Sequence, residues 1–159
     1  MVLKSYTERK NALVAWFLII TNHFWIALAL SFNEHYSYLD TLMYLSGITF
    51  AGILGYIALY KLNKKEKVDL NQFQGHVYEY PRIALLSLVA CLGLSGFPIT
   101  PTFIGEDLIF SHIHEDQIIL AFIVSLSFVL DGLSLIRIFS RVFLGPHVKT
   151  YHEVALKSS

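Results

Sequence analysis

Long apolar runs separated by short polar segments dominate the chain. Asn11 to Phe32, Leu42 to Tyr60 and Ile118 to Phe143 each reach the ~20 residues that a helix needs to cross a bilayer. A fourth apolar stretch, Ile83 to Ile113, is too long for one straight span and is interrupted in its middle. The pattern predicts an all-α, polytopic membrane protein with four transmembrane segments, the third a broken helix. Residues 1–159 then form one membrane domain, with spans near 11–32, 42–60, 83–113 (broken near 98–101) and 118–143.

The interruption reads LGLSGFPITPTFIGEDLIF. Ile83 to Leu94 supplies half a span; Gly96, Pro98 and Pro101 then break the helix, because proline lacks an amide donor and clashes with the preceding turn. Backbone groups freed at membrane depth must be satisfied by protein or water. Glu106 and Asp107 follow directly. A carboxylate at that depth costs roughly 2.5–3.5 kcal/mol on insertion scales, so its retention points to a purpose. Broken helices near the midplane are a recurrent way to build ion and proton sites.

The segments between the spans carry their positive charge unevenly. Lys4, Arg9 and Lys10 precede the first span, and the loop 61–82 holds Lys61, Lys64, Lys65, Lys67 and Arg82. Arg141, Lys149 and Lys157 lie in the tail. The two remaining loops carry Glu34 and Asp40, and His112, His114, Glu115 and Asp116, with no Lys or Arg. The positive-inside rule therefore places loop 61–82 and both termini in the cytoplasm. Lys4, Arg9 and Lys10 resemble the start of a signal peptide, but the apolar run is too long and lacks a small-x-small cleavage site, so it reads as a retained span. Loop 61–82 is either a solvated connector or a short amphipathic surface helix through Leu70, Phe73 and Val77.

Composition agrees with the membrane assignment. Hydrophobic residues make up 55% of the chain, charged residues only 15% against the ~25% usual in soluble domains, and mean hydropathy is +0.54. A formal net charge of zero removes the global basic field expected of a nucleic-acid partner. The lone Cys91 lies in an apolar run, where it reads as a small buried hydrophobe. Phosphate-binding glycine loops and dinucleotide fingerprints are absent.

Glu106 is the leading candidate for chemistry. Either it lies within the second half-helix, or Glu106 and Asp107 mark the outer end of a shorter span; the return to apolar Leu108-Ile109-Phe110 favours the first. Exchangeable protons on a group at membrane depth are what a relay requires. Asp131, near the centre of the fourth span beside Gly132, either faces a water-filled interior or has a structural hydrogen bond to a neighbouring helix. His23, midway along the first span, suits a proton wire, although a lone histidine on an apolar helix is commonly a packing residue. Asn22 is expected to face another direction. Arg137 and Arg141, one turn apart, can snorkel to the interface. The run Ser111-His112-Ile113-His114-Glu115-Asp116 fits no well-specified zinc spacing, so no metal is expected. A b-type haem would need paired axial ligands from facing helices, and no cofactor is expected.

These residues resemble a known family. The stretch 86–110 is similar to the broken twelfth helix of the antiporter-like membrane subunits of respiratory complex I and of Mrp-type cation/proton antiporters. The matching pieces are Gly96-Phe97-Pro98, then Phe103-x-Gly105, then Glu106, in the place of the family's relay lysine or glutamate. Asp107 has no counterpart in that pattern. Downstream, Arg137, Phe143 and Gly145, with Pro146, occupy the cytoplasmic-end motif of the thirteenth helix. The first two spans are laid out like helices ten and eleven, and His23 would correspond to a histidine carried there by some members.

The resemblance covers most of this chain and only the helix ten to thirteen region of a full member. The family's other broken helix, with its central lysine and its Glu-Lys pair, has no counterpart in this sequence. It implies a subunit, or part of one, contributing a proton or cation half-channel to a larger NADH-quinone-oxidoreductase-like or Mrp-like complex. Glu106 would be the carrier, His23 and Asp131 its neighbours, and redox chemistry would lie in partner subunits. The expected partners are the lipid bilayer, other membrane subunits, and protons or monovalent cations; the expected location is a bacterial inner membrane. The competing reading is a four-helix scaffold or assembly subunit that binds a partner through the small faces of Gly47, Gly52 and Gly55. A membrane metalloenzyme using the 111–116 loop is a third reading, which would require bound metal.

Overall fold

The computed structural model describes residues 1–32, 37–111, 113 and 117–146. Among them every regular element is helical: α1 (Val2–Thr7), α2 (Ala12–Leu30), α3 (Tyr38–Asn63), α4 (Pro81–Leu94), α5 (Pro101–Ser111) and α6 (Ile118–Phe143). Helices α2, α3 and α6 are long and apolar enough to cross a membrane. The surface is apolar where a soluble protein would be polar: Phe17, Phe50, Ile119 and Ile136 are all exposed, and only 22% of the most apolar stretch of α6 is buried within the bundle. Helices that are apolar around their whole circumference need lipid or protein on every side.

Caps set the helix boundaries. The Asn11 side chain accepts from the amides of Leu13 and Val14 at 3.0 and 3.3 Å, which satisfies two of the orphan donors of α2. Ser37 does the same for α3 through the amide of Asp40. Pro81 and Pro101 each occupy the first residue of their helix, where proline's missing N–H costs nothing. Pro101 therefore starts α5, and the break itself is confined to residues 95–100. Thr100 Oγ1 accepts from the Phe103 amide at 3.3 Å and closes the new start.

α4 and α5 run as one interrupted span along α3. Going from α4 into α5, Gly93 lies against Ala51, Thr102 against Gly47, and Gly105 against Tyr44. The α3 partners descend as the chain advances, so the two half-helices lie end to end, antiparallel to α3. At ~1.5 Å per residue, their 14 and 11 residues reach ~38 Å, enough for a ~30 Å hydrocarbon core. The expected broken third segment is thus present, with α4 starting two residues before Ile83.

Small residues on α3 make this packing possible. A Cβ at Gly105 would stand 2.5 Å from Tyr44 Cα, and one at Gly47 2.5 Å from Thr102 Oγ1. On its other side α3 offers Gly55 to the Trp16 ring and Gly52 to Ile20, and the Trp16 indole donates to the Gly52 carbonyl at 2.9 Å. Gly47, Gly52 and Gly55 are therefore occupied by α5 and α2 of the same chain. A scaffold reading must find its partner surface elsewhere.

Loop 61–82 forms no amphipathic helix beyond the end of α3 at Asn63. Its four successive amides, Gln74 to Val77, donate to the carbonyls of Arg141, Leu144, Val142 and Phe143. Those carbonyls are left without partners where α6 ends, and the loop supplies the donors that the helix cannot. Leu70 and Val68 are buried by this docking, whereas Phe73 stays half exposed.

Candidate functional site

Three helices converge on one buried polar cluster. Asn22 and His23 come from the middle of α2, Tyr44 from α3 and Asp131 from the middle of α6, and each is at most 7% exposed. Asn22 Nδ2 donates to Asp131 Oδ2 at 2.7 Å. His23 Nε2 faces the same oxygen at 3.7 Å, and its Nδ1 shares a 2.7 Å hydrogen bond with the Tyr44 hydroxyl. Phe128 stacks on His23 at 6.0 Å between centroids and meets Tyr44 edge-on at 6.3 Å, so the polar chain has an apolar wall.

A neutral imidazole has one donor and one acceptor nitrogen. With the hydrogen on Nε2, His23 points a donor at Asp131 and accepts from the Tyr44 hydroxyl, which matches both neighbours. The 3.7 Å gap is longer than a hydrogen bond, so a bridging water or a small shift would be needed for transfer. His23 Nε2 and Asp131 Oδ1 have no hydrogen-bond partner and are fully enclosed. Enclosed atoms of this kind call for an explanation such as water or a mobile proton.

Glu106 sits in α5, five residues after Pro101, and is half-buried. Its carboxylate lies against Gly96 across the break, where any Cβ would overlap it. Gly96 has φ +64°, the left-handed region that suits glycine, and Ile99 has φ +86°, which is strained for a β-branched residue. Both Asp131 and Tyr44 are close enough to Glu106 for electrostatic interaction. The break, with Gly96, Pro98, Pro101 and Gly105, thus places an acid beside the polar cluster: Gly96 leaves room for the carboxylate, and Gly105 lets α5 approach Tyr44.

All three expected relay candidates, Glu106, Asp131 and His23, are on this one side of the bundle. Two participants were not anticipated. Tyr44 looks like one more interfacial tyrosine in Leu42-Met43-Tyr44, but it falls three residues before Gly47, on the face that receives α5. Asn22 does face another direction than His23, about 100° around α2, yet the two straddle Asp131 and both reach it. Asp107 is exposed. Arg137, Phe143 and Gly145 stand apart at the end of α6: Phe143 is fully buried, and Gly145, at φ +122°, presses on Phe73. Glu34, His112, His114, Glu115, Asp116, Lys149 and Lys157 lie outside the described residues.

An apolar helical bundle with a proline-broken span, one acid at the break and another buried in the bundle defines a class, that of polytopic helical membrane domains. Residues 21–131 match the model of the family described as NADH:quinone oxidoreductase/Mrp antiporter, transmembrane, and the chain belongs to that family. The match includes His23, Tyr44, Glu106 and Asp131. Chain 4 of the NADH-ubiquinone oxidoreductase of Dictyostelium citrinum is 32% identical over 81 residues, covering 51% of this chain and 20% of the relative. The Dictyostelium discoideum chain 4 is 36% identical over 67 residues, 42% of this chain and 12% of the relative. Subunit M of the NADH-quinone oxidoreductase of Rickettsia prowazekii is 29% identical over 82 residues, 52% of this chain and 17% of the relative. The chain thus spans a fifth or less of the length of these curated relatives. No solved structure matches it.

Proposed function

We propose that this chain contributes a proton or cation translocation half-channel to a larger membrane complex of the NADH-quinone oxidoreductase or Mrp type. Glu106 is the carrier, the break at residues 95–100 admits water to it, and Tyr44, His23 and Asp131 continue the path into the bundle. The observation that carries this reading is the enclosed chain Asp131–His23–Tyr44 with Glu106 beside it, spanning four helices and holding two unpartnered polar atoms. Buried ionisable groups inside a membrane are costly and gather where ions or protons move. The names of the curated relatives support a quinone-oxidoreductase setting, in which other membrane subunits would complete the path. The lysines and arginines flanking α2, α3 and α6 support cytoplasmic placement of both ends of the chain, in what we propose is a bacterial inner membrane.

The test is proton flux in liposomes containing this chain with its co-purifying partners, comparing wild type with Glu106→Gln. Flux should fall at least about tenfold, corresponding to ~1.4 kcal/mol on the barrier, while assembly is retained. Equal flux in the two would remove Glu106 as carrier, and flux from neither would leave a scaffold role.

A further inference from the structure

The end of the bundle where α2 begins and α6 finishes holds a second concentration of charge, separate from the buried acids. A cavity of about 300 Å³ there is lined by Arg9, Arg137 and Arg141 together with Tyr6, Leu70 and Asn71 among others, and by no carboxylate. Arg9 precedes α2 while Arg137 and Arg141 lie one turn apart at the end of α6, and the cavity between them is closed where the Leu70 amide pairs with the Arg9 carbonyl at 3.0 Å and loop 61–82 docks on the end of α6.

Their guanidinium groups have only backbone and ring partners among the described residues. Arg137 donates to the Glu8 carbonyl at 2.8 Å and lies over the Tyr6 ring at 5.6 Å. Arg141 donates to the Asn71 carbonyl at 3.4 Å and lies over the Phe73 ring at 4.4 Å. Of the nearby acids, Glu8 accepts from the Lys10 amide at 2.9 Å and Asp69 from the Asn71 amide and side chain at 2.9 and 2.8 Å. Arg9 and Arg141 both lie within electrostatic reach of Arg137, so three like charges share one cavity whose described lining holds no carboxylate, Glu8 acting on Arg137 from outside it. Each guanidinium has five donors in a planar fork that matches a phosphate, and most of these donors are unused.

The height of the cavity matters too. α6 has 26 residues and so runs ~39 Å, longer than the ~30 Å hydrocarbon core, which puts its last turns at headgroup level. Exposed Met1 and Leu3 stand at the start of the adjoining α1. Basic pockets between helices at that level suit anionic head groups. We propose that Arg9, Arg137 and Arg141 form a binding site for a phosphate-type oxyanion, presented by an anionic phospholipid head group or free in solution.

The experiment is thermal unfolding of the full chain in a neutral detergent at fixed ionic strength, with added short-chain phosphatidylglycerol, short-chain phosphatidylcholine or inorganic phosphate. Wild type is compared with Arg141→Gln and Arg9→Gln. Phosphatidylglycerol should raise the unfolding midpoint of wild type, with half-maximal effect at a concentration at least about tenfold higher in each variant. A larger response to phosphatidylglycerol than to inorganic phosphate identifies the head group as source; the reverse identifies the free anion. Identical responses of wild type and Arg9→Gln, equal shifts with phosphatidylcholine, or no shift with any of the three would overturn the site. Should Arg141→Gln fail to fold, Arg9→Gln still decides, because Arg9 is exposed and lies outside every helix.

Discussion

Asp131 and Glu106 are acids of the same bundle, yet one sits in the middle of an unbroken helix and the other a few residues past a break. Asp131 is 2% exposed, held at 2.7 Å by Asn22 and faced by His23. Glu106 is half-buried, its carboxylate rests against the bare backbone of Gly96, and its side chain has no hydrogen bond to any other described residue. Proteins fix a buried carboxylate with donors when its position matters and leave it room when it has to move. On the proposed reading, Asp131 is the anchored member of the path and Glu106 its mobile carrier.

That contrast predicts different losses. Asp131→Leu removes the partner of Asn22 and the neighbour of His23 together, and stranding buried polar groups costs ~1–3 kcal/mol each. The bundle should be destabilised by about 3 kcal/mol, read from reversible unfolding in mixed micelles. Glu106→Leu, with no hydrogen bond to lose, should change stability by less than ~1 kcal/mol while abolishing flux. If both variants proved equally unstable, the distinction between anchor and carrier would fail.

Gly96→Val tests the other side of the contrast. The residue is at φ +64°, where a side chain costs about 1–2 kcal/mol, and its Cβ would displace the Glu106 carboxylate. Flux should drop several-fold although the acid itself is retained. Flux equal to wild type would mean that the seat of Glu106 at the break has no bearing on transport. Asn22→Leu should have a smaller effect, about 1–2 kcal/mol of stability, because Asp131 keeps His23 nearby. An unchanged unfolding curve would show that the 2.7 Å contact contributes nothing.

How far such contrasts could be read from sequence depends on what each residue answers to. The spans and the break were legible because bilayer thickness and proline stereochemistry act on consecutive residues, and Gly96, Pro98 and Pro101 carry their constraint wherever the chain goes. Loop 61–82 was not. Its Leu70, Phe73 and Val77 spacing allows a helix, but its amides are claimed by carbonyls of residues 141–144, a partner that local pattern cannot announce. The role of Asn22 was hidden for a similar reason: helical phase says which residues share a face, and it does not say that a single facing carboxylate is reached by two neighbours. The arginine cavity is likewise a product of loop docking.

Tyr44 is the subtlest of these cases, and its test the finest. Tyr44→Phe keeps the ring that meets His23 and Phe128 edge-on, and it removes only the hydroxyl at 2.7 Å from His23 Nδ1. As one neutral hydrogen bond, that hydroxyl contributes about 0.5–1.5 kcal/mol to stability. Its importance for transport is separable from this. Tyr44 is the described hydroxyl between the Glu106 side of α5, where Gly105 packs on its backbone, and the His23–Asp131 pair. If protons pass along that line, the phenylalanine variant should lose flux several-fold more than its small change in stability accounts for, and adding it to Glu106→Gln should lower flux no further than Glu106→Gln does alone. Additive losses in the double variant would mean that Glu106 and Tyr44 serve different routes, and the polar cluster would then be a structural clasp beside the carrier rather than its continuation.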